Sequence, residues 1–536
     1  MDQFLELARS TVCISRIKQT IEVLCRHDRY QVSHGIVAAA QDLAEALQVR
    51  ENITATLTTL DADYGGAWDF GMPPSWTPLE AMIELPDGEV FSLAKHPLLL
   101  ATNSSDLERQ DLKVVAYEPG NWLGDGDVLA LVDPEDLNLT QLMRDGVAVF
   151  ATRASFMPNA AGASARGRVE LGADSKMTGF SLDRHQFDTL RKLSKQQQKI
   201  RAVVKIDHTA KLPLLSWNIP GALPEEVWVM AHMCHQKPGA NDNASGVAGL
   251  VEVTRCCTEI ARDVPAEHRG TIRFFTGPEF TGISAFLEKS IQQRSGFTGP
   301  SCVINLDMIG QDSAKNGGMF RVERCPQASR SSLTAVAQRM IADVFDHDGH
   351  EWTPMAFKGY SDNSIFAAGP LSCPTVQFCH DKDIYNHTSE DRPERLSFEK
   401  IAAVSAAAAA TALVMAVQTD LAKEYRLGLF DAWAMDQPNG FAKIVFDAKR
   451  QNGFLKGPLN LRGLLQHVTP ESRQAYVEAL SANKETYAAL LNSIIYADQG
   501  LSTADAIDAA ASCLGKVFCE DTIALLTQIV EQIRRH

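Results

Sequence analysis

The run VMAHMCHQKPGANDNASG, residues 229–246, gathers His232, Cys234, His235 and Asp242 into one short stretch. Farther along, Glu279 closes TIRFFTGPE, Asp307 closes SCVINLD, and His387 lies in YNHTSED shortly after CPTVQF. Each follows an apolar, β-branched run that reads as a strand. One such residue carries little information, whereas five or six at successive strand ends point to a site. Imidazole mixed with carboxylate is the donor set of catalytic zinc, in contrast to the all-thiolate sets of structural sites. The set could hold one ion, or two if a carboxylate bridges them. Cys234 alternates with the histidines, which turns it to the opposite face if the strand persists.

The elements that must position these residues alternate in kind. Between 227 and 418 the strand-like VWVMAH, TIRFFT, SCVINLD and CPTVQFC are separated by NASGVAGLVEVTRCCTEIA, GISAFLEKS and SSLTAVAQRMIADVF, which have helical spacing. That alternation predicts an α/β fold, with a mixed, mainly parallel sheet flanked by helices. In such sheets ligands gather at the carboxyl ends of strands. Residues 65–210 differ: they open on turn-rich YGGAWDFGMPPSW, continue through VLALVD and GVAVFATRA, and read as a β-rich insertion. The basic run LRKLSKQQQKIR within them is expected to be a solvated helix face. Residues 421–536 are helix-rich, with breakers PNG and GP and an amphipathic end, EDTIALLTQIVEQIRRH. The expected organisation is a discontinuous catalytic domain from 1–64 and 211–420, an inserted domain at 65–210 and a helical C-terminal domain at 421–536. The charge-free segment 401–418 is alanine-dominated and only marginally long for a membrane span, so a buried core helix is expected.

The 51 Lys+Arg against 66 Asp+Glu, net −15, argue against general binding to nucleic acid or anionic membrane. Residues 421–536 hold 12 Lys+Arg and 13 Asp+Glu, so duplex DNA binding by that region is not expected. The start MDQFLELARSTVC lacks a secretory pattern, and the 11 cysteines lack the spacing of a disulfide framework. A cytoplasmic protein with reduced thiols is the expectation.

The motif GANDNASGVA resembles the metal-binding motif of the zinc-aminopeptidase family that includes bacterial leucyl aminopeptidases and glutaminyl cyclases. NLDMIG, GYSDNSIF and NHTSED resemble that family's later motifs in the same order. The closer likeness is to an aminopeptidase-like branch in which CH precedes the aspartate motif and PE replaces a Glu-Glu pair. The resemblance is specific over about 230–400. It implies a zinc-exopeptidase-like fold with an inserted β-rich domain and a winged-helix-like C-terminal domain. It makes Asp242 a metal-bridging aspartate, Glu279 a ligand glutamate, Asp307 a ligand of one ion and His387 the distal histidine. Asp391 becomes a neighbour that orients a ligand. His232 matches the general family's AH position and His235 the CH of the branch; the latter is preferred, with His232 an orienting neighbour or alternative ligand. Asp362 and Tyr385 are candidate substrate contacts, although an aspartate in a loop often only caps a turn.

One departure matters. Pro278 stands where the family has its first glutamate, a general base, so either Glu279 is itself the base or another carboxylate serves. The activity implied is zinc-dependent hydrolysis of a peptide or aminoacyl-amide bond, most simply by an aminopeptidase acting on small peptides. The alternatives are a catalytically silent metal- or peptide-binding module, and acyl transfer or cyclisation on the same fold. Homo-oligomer formation is compatible with an inserted domain.

Overall fold

The computed structural model describes every residue except 62, 66, 67, 69, 70, 123, 125, 126, 154–161, 298, 327, 328, 330, 370, 371, 436–452 and 536. The breaker PNG at 438–440 lies outside the described residues, as does part of the turn-rich start of the insertion.

Two sheets organise the chain. Strand β1 (Thr56–Leu60) precedes a group formed by β2 (Thr77–Glu84), β3 (Val90–Ser92), β4 (Leu107–Ala116), β5 (Val128–Val132), β6 (Val149–Thr152), β7 (Thr178–Ser181) and β8 (Lys199–Asp207). These last seven form their own sheet, ordered β3-β2-β8-β4-β5-β6-β7. The chain then returns with β9 (Leu212–Ile219), β10 (Leu223–His232), β11 (Gly270–Gly277), β12 (Cys302–Asp307), β13 (Met319–Glu323), β14 (Trp352–Met355) and β15 (Thr375–Asp381). With β1 they make an eight-stranded sheet ordered β1-β9-β11-β10-β12-β15-β13-β14. At its centre β11, β10, β12 and β15 run parallel, while β9 and β13 join antiparallel.

The central strands are apolar on both faces because helices cover both. Val227, Trp228, Val229, Met230 and Ala231 are all fully buried, as are Val303 and Ile304. The helices Gly246–Ala261 and Phe398–Ala416 pack against each other on one face. The second is the only helix among the described residues that is long and apolar enough to cross a membrane, and its Ala407–Ala410 run is wholly buried in this core. On the other face Trp228 stacks on Phe297 and meets Phe286 and Phe366.

In the insertion the first half of the basic run, 190–195, falls on the helix Arg184–Lys195, which begins with a reciprocal cap between Asp183 and Gln186 and keeps Arg191, Lys192 and Lys195 exposed, whereas its second half turns into β8, which carries Lys199 and Arg201 and buries Ile200. Past β15 the described residues contain helices and no strand, so the hairpin that a winged helix requires is not among them. The last helices, from Glu485–Asp498 to Glu520–Arg534, share a core of Leu490, Ile494, Ile507, Leu526 and Ile529. Phe357 and Ala367, from the loops of the main sheet, enter the same core.

Candidate metal centre

The centre is assembled at the carboxyl ends of β10, β11 and β12 and on the loop after β15. Strand β10 ends at His232, and the next residues form a loop pinned from outside the sheet. Arg29, which is fully buried, exchanges backbone hydrogen bonds with His235, at 2.8 and 2.7 Å. Its guanidinium donates to the carbonyls of Met233 (2.8 Å) and Gly239 (2.9 Å). Gly239 has φ +54°, and a Cβ there would lie 2.7 Å from both the Asp242 carbonyl and His235 Nδ1, so only glycine fits.

Asp242 is held between two asparagines. Asn243 accepts from the backbone N–H groups of Met308 and Gly246, each at 3.0 Å, and donates to the Leu306 carbonyl at 3.0 Å. Asn241 accepts from Gly310 N–H at 2.9 Å and donates to Asp383 at 2.8 Å. The aspartate loop is thereby fixed to the end of the strand that carries Asp307. Asp391 receives the backbone N–H groups of Asn241 (2.7 Å) and Asp242 (3.0 Å) with its two carboxylate oxygens. It supports Asp242 through the backbone and is not one of the converging donors. Left-handed φ values at non-glycine residues mark the same region: Phe280 (57°), Met308 (57°) and His387 (58°).

The donors form two groups that share Asp242. Its Oδ1 lies 3.5 Å from His232 Nε2, which is 3.3 Å from Asp307 Oδ1. Its Oδ2 lies 3.4 Å from His235 Nε2 and 3.1 Å from His387 Nε2. Within each group, His232–Asp242–Asp307 and His235–Asp242–His387, the donor atoms lie within 4.8 Å of one another. His232, the last residue of β10, and His235, in the loop after it, therefore both converge on Asp242, one in each group.

The tautomers follow from the backbone. His232 Nδ1 faces the Cys234 carbonyl at 3.2 Å and His235 Nδ1 the Gln236 carbonyl at 2.8 Å. A carbonyl can only accept, so each Nδ1 carries a proton and Nε2 points inward. His235 Nε2 and Asp307 Oδ1 are buried without a hydrogen-bond partner. Such orphans are costly unless something absent from the protein chain satisfies them.

The electrostatics agree. Burial pushes His235 down to about 3 and lowers His387 as well, so both imidazoles are neutral, as a ligand must be. Burial, together with Asp362 and Asp307, pushes Glu279 up to about 8, and burial raises Asp362 to about 6. For His232 burial acts downward, but Asp307 and Glu279 outweigh it and hold the ring well above the usual imidazole range. Too many carboxylates share too little positive charge. A divalent cation at each group, ligated by nitrogen and oxygen, resolves both the orphaned atoms and the charge, and zinc suits that donor set.

Glu279 belongs to neither group of donors. Its backbone N–H donates to Cys234 Sγ at 3.1 Å, and its carboxylate feels His232, Asp362 and Asp307. Cys234 therefore does not face away, as strand alternation implied: the strand stops at His232, and the thiol sits 3.8 Å from His232 Nδ1. Asp362 is fully buried and accepts from Phe280 N–H, which fixes the turn next to Glu279. Tyr385 packs its ring under Arg395, 4.5 Å from the guanidinium, and its carbonyl accepts from Thr388, so it braces the His387 loop. Reading the sequence missed Arg29, Asn241, Asn243 and Asp383. The asparagines lie inside the quoted motif, but nothing in the spacing of Arg29 or Asp383 signals a role.

The sequence profile of Peptidase family M28 matches residues 215–412, which include every donor of the two groups. A search of curated proteins returns no match. Among solved structures, a zinc aminopeptidase from Bacillus subtilis is similar at 17% identity and TM-score 0.54, covering 77% of this chain and 95% of its own. A peptidase M28 precursor from Shewanella amazonensis SB2B is similar at 15% identity and TM-score 0.52, covering 77% and 95%. At these identities the structural likeness speaks for the fold.

Proposed function

We propose that this M28 peptidase domain is a zinc-dependent aminopeptidase, which hydrolyses the bond after the N-terminal residue of a small peptide or an aminoacyl amide. The observation that carries the reading is the pair of donor groups sharing Asp242, set at the strand ends of a fold that the zinc aminopeptidase of Bacillus subtilis also has. His232 and Asp307 would hold one ion, His235 and His387 the other, and Asp242 both. Zinc held there supplies Lewis acidity, polarising the scissile carbonyl and lowering the pKa of a water to about 7.

The remaining chemistry belongs to the chain. Glu279, near His232 and Asp307 but a member of neither group, takes the proton from the attacking water and returns it to the leaving amine. This reading gives the proline of GPEF no chemical task, because one carboxylate suffices. Asp362 holds the Phe280 turn and adds negative charge beside Glu279, an environment suited to the ammonium of a free N-terminus. A reducing, cytoplasmic setting goes with the proposal, supported by 11 cysteines that are all free.

The test is zinc per chain by mass spectrometry together with amine release from a panel of aminoacyl amides. About two ions and turnover are expected. Zinc without turnover on any amide or dipeptide would reject the enzyme in favour of a silent binding module.

A further inference from the structure

The inserted domain does not merely sit beside the metal centre; it is stitched to a donor loop. Gly167 bridges Thr388 in antiparallel fashion, Arg168 N–H donates to the His387 carbonyl at 2.8 Å, and Ser389 N–H donates to the Arg166 carbonyl at 2.9 Å. Arg166 N–H also reaches Ser389 Oγ at 3.1 Å. Arg168 is thus locked in register beside His387.

The guanidinium is not used up by the fold. Its one ion pair among the described residues is to Glu170, at 3.9 Å, which is too long for a hydrogen bond, and the side chain keeps 28% exposure. A planar fork of donors, on a backbone paired with the His387 loop, is left with no bidentate partner. Arg462 of the C-terminal helices lies over the Phe280 ring at 5.1 Å.

We propose that Arg168 binds the α-carboxylate of the residue after the scissile bond, which makes dipeptides the preferred substrates. This rests on the hydrolytic reading above. The geometry of a peptide supplies the reason. Three bonds separate the scissile carbonyl carbon from the next α-carboxylate carbon, so the two lie within about 4 Å. A carbonyl at the donor groups therefore brings a dipeptide's carboxylate to the neighbourhood of His387, where Arg168 is fixed. A longer peptide presents a neutral amide there, and a site built to pair a charged group discriminates against analogues that lack it.

The experiment compares kcat/KM for dipeptides Xaa-Gly, their amides Xaa-Gly-NH2 and the side-chain acids Xaa-Asp-NH2, with Xaa taken from the best aminoacyl amide. Wild type should favour Xaa-Gly over Xaa-Gly-NH2 by about 10- to 100-fold, largely through KM. Arg168→Gln should bring that ratio to about 1 while keeping its zinc, and Arg168→Lys should fall between. The proposal is overturned by a wild-type ratio near 1, by an unchanged ratio in Arg168→Gln, by loss of zinc in that variant, or by Xaa-Asp-NH2 matching Xaa-Gly. No turnover of any substrate by the zinc-loaded protein would instead sink the hydrolytic reading, and this inference with it.

Discussion

At the scale of residues, the centre divides labour by position. Four donors meet only because Asp242 offers one oxygen to each side, so removing it should cost more than removing any histidine. Asp242→Ala is expected to lose both ions, whereas His232→Ala and His235→Ala should each fall from about two zinc per chain to about one. Equal zinc content in all three variants would contradict the shared role. Glu279 belongs to neither group, and its amide isostere tests that separation. Glu279→Gln should keep both ions and lose about 10²- to 10⁴-fold in turnover. A drop in stoichiometry in that variant would instead return Glu279 to the ligand role that the Glu-Glu resemblance implies.

At the scale of elements, the parallel core is clamped where β10 begins. Glu226 accepts from Trp228 Nε1 at 2.9 Å, from Arg273 of β11 at 3.2 Å and from Arg294 Nη1, just past the helix Thr281–Gln293, at 3.0 Å. Burial alone would raise this carboxyl, but the hydrogen bonds from Arg294, Arg273 and Trp228 prevail and hold it at about 2. A depressed folded value means stability that is fully present above the unfolded value of about 4.5 and is lost as pH falls toward about 2. Glu226→Gln should therefore be less stable than wild type by on the order of 3 kcal/mol at neutral pH. The difference should shrink through the window from about pH 4.5 to 2. Denaturant unfolding of both proteins at matched pH checks this, because carboxylates of the metal centre are common to the two and cancel. A difference independent of pH would show that the cost is packing alone.

At the scale of the whole molecule, the C-terminal helices are part of the catalytic unit's fabric. Asp498, buried at the end of the helix Glu485–Asp498, accepts from Gly369 N–H of the main domain and from Leu455 N–H of the C-terminal region, each at 2.9 Å. Asp498→Ala orphans two buried donors that face different parts of the chain. It should cost about 2–4 kcal/mol. Because the joint also seats Phe357 and Ala367 near the Asp362 loop, the variant should lower turnover along with the melting temperature. Unfolding that splits into two transitions, with activity intact after the first, would show that the modules are independent instead.

The sequence by itself determined the alternation of strand and helix, and with it the α/β class and the strand-end placement of His232, Asp242, Glu279 and Asp307. It could do so because apolar runs and polar strand ends are local patterns, visible within a dozen residues. The division of the donors into two groups was decided only by tertiary structure. His232 and His235 lie three residues apart, and alternation could not tell that the strand stops between them; the stop depends on Arg29, which pairs with His235 from more than two hundred residues away. The arrival of Arg168 beside His387 is likewise invisible in either segment. Backbone pairing between an insertion and a loop far along the chain leaves no periodic trace in either, since any residue offers the same N–H and carbonyl.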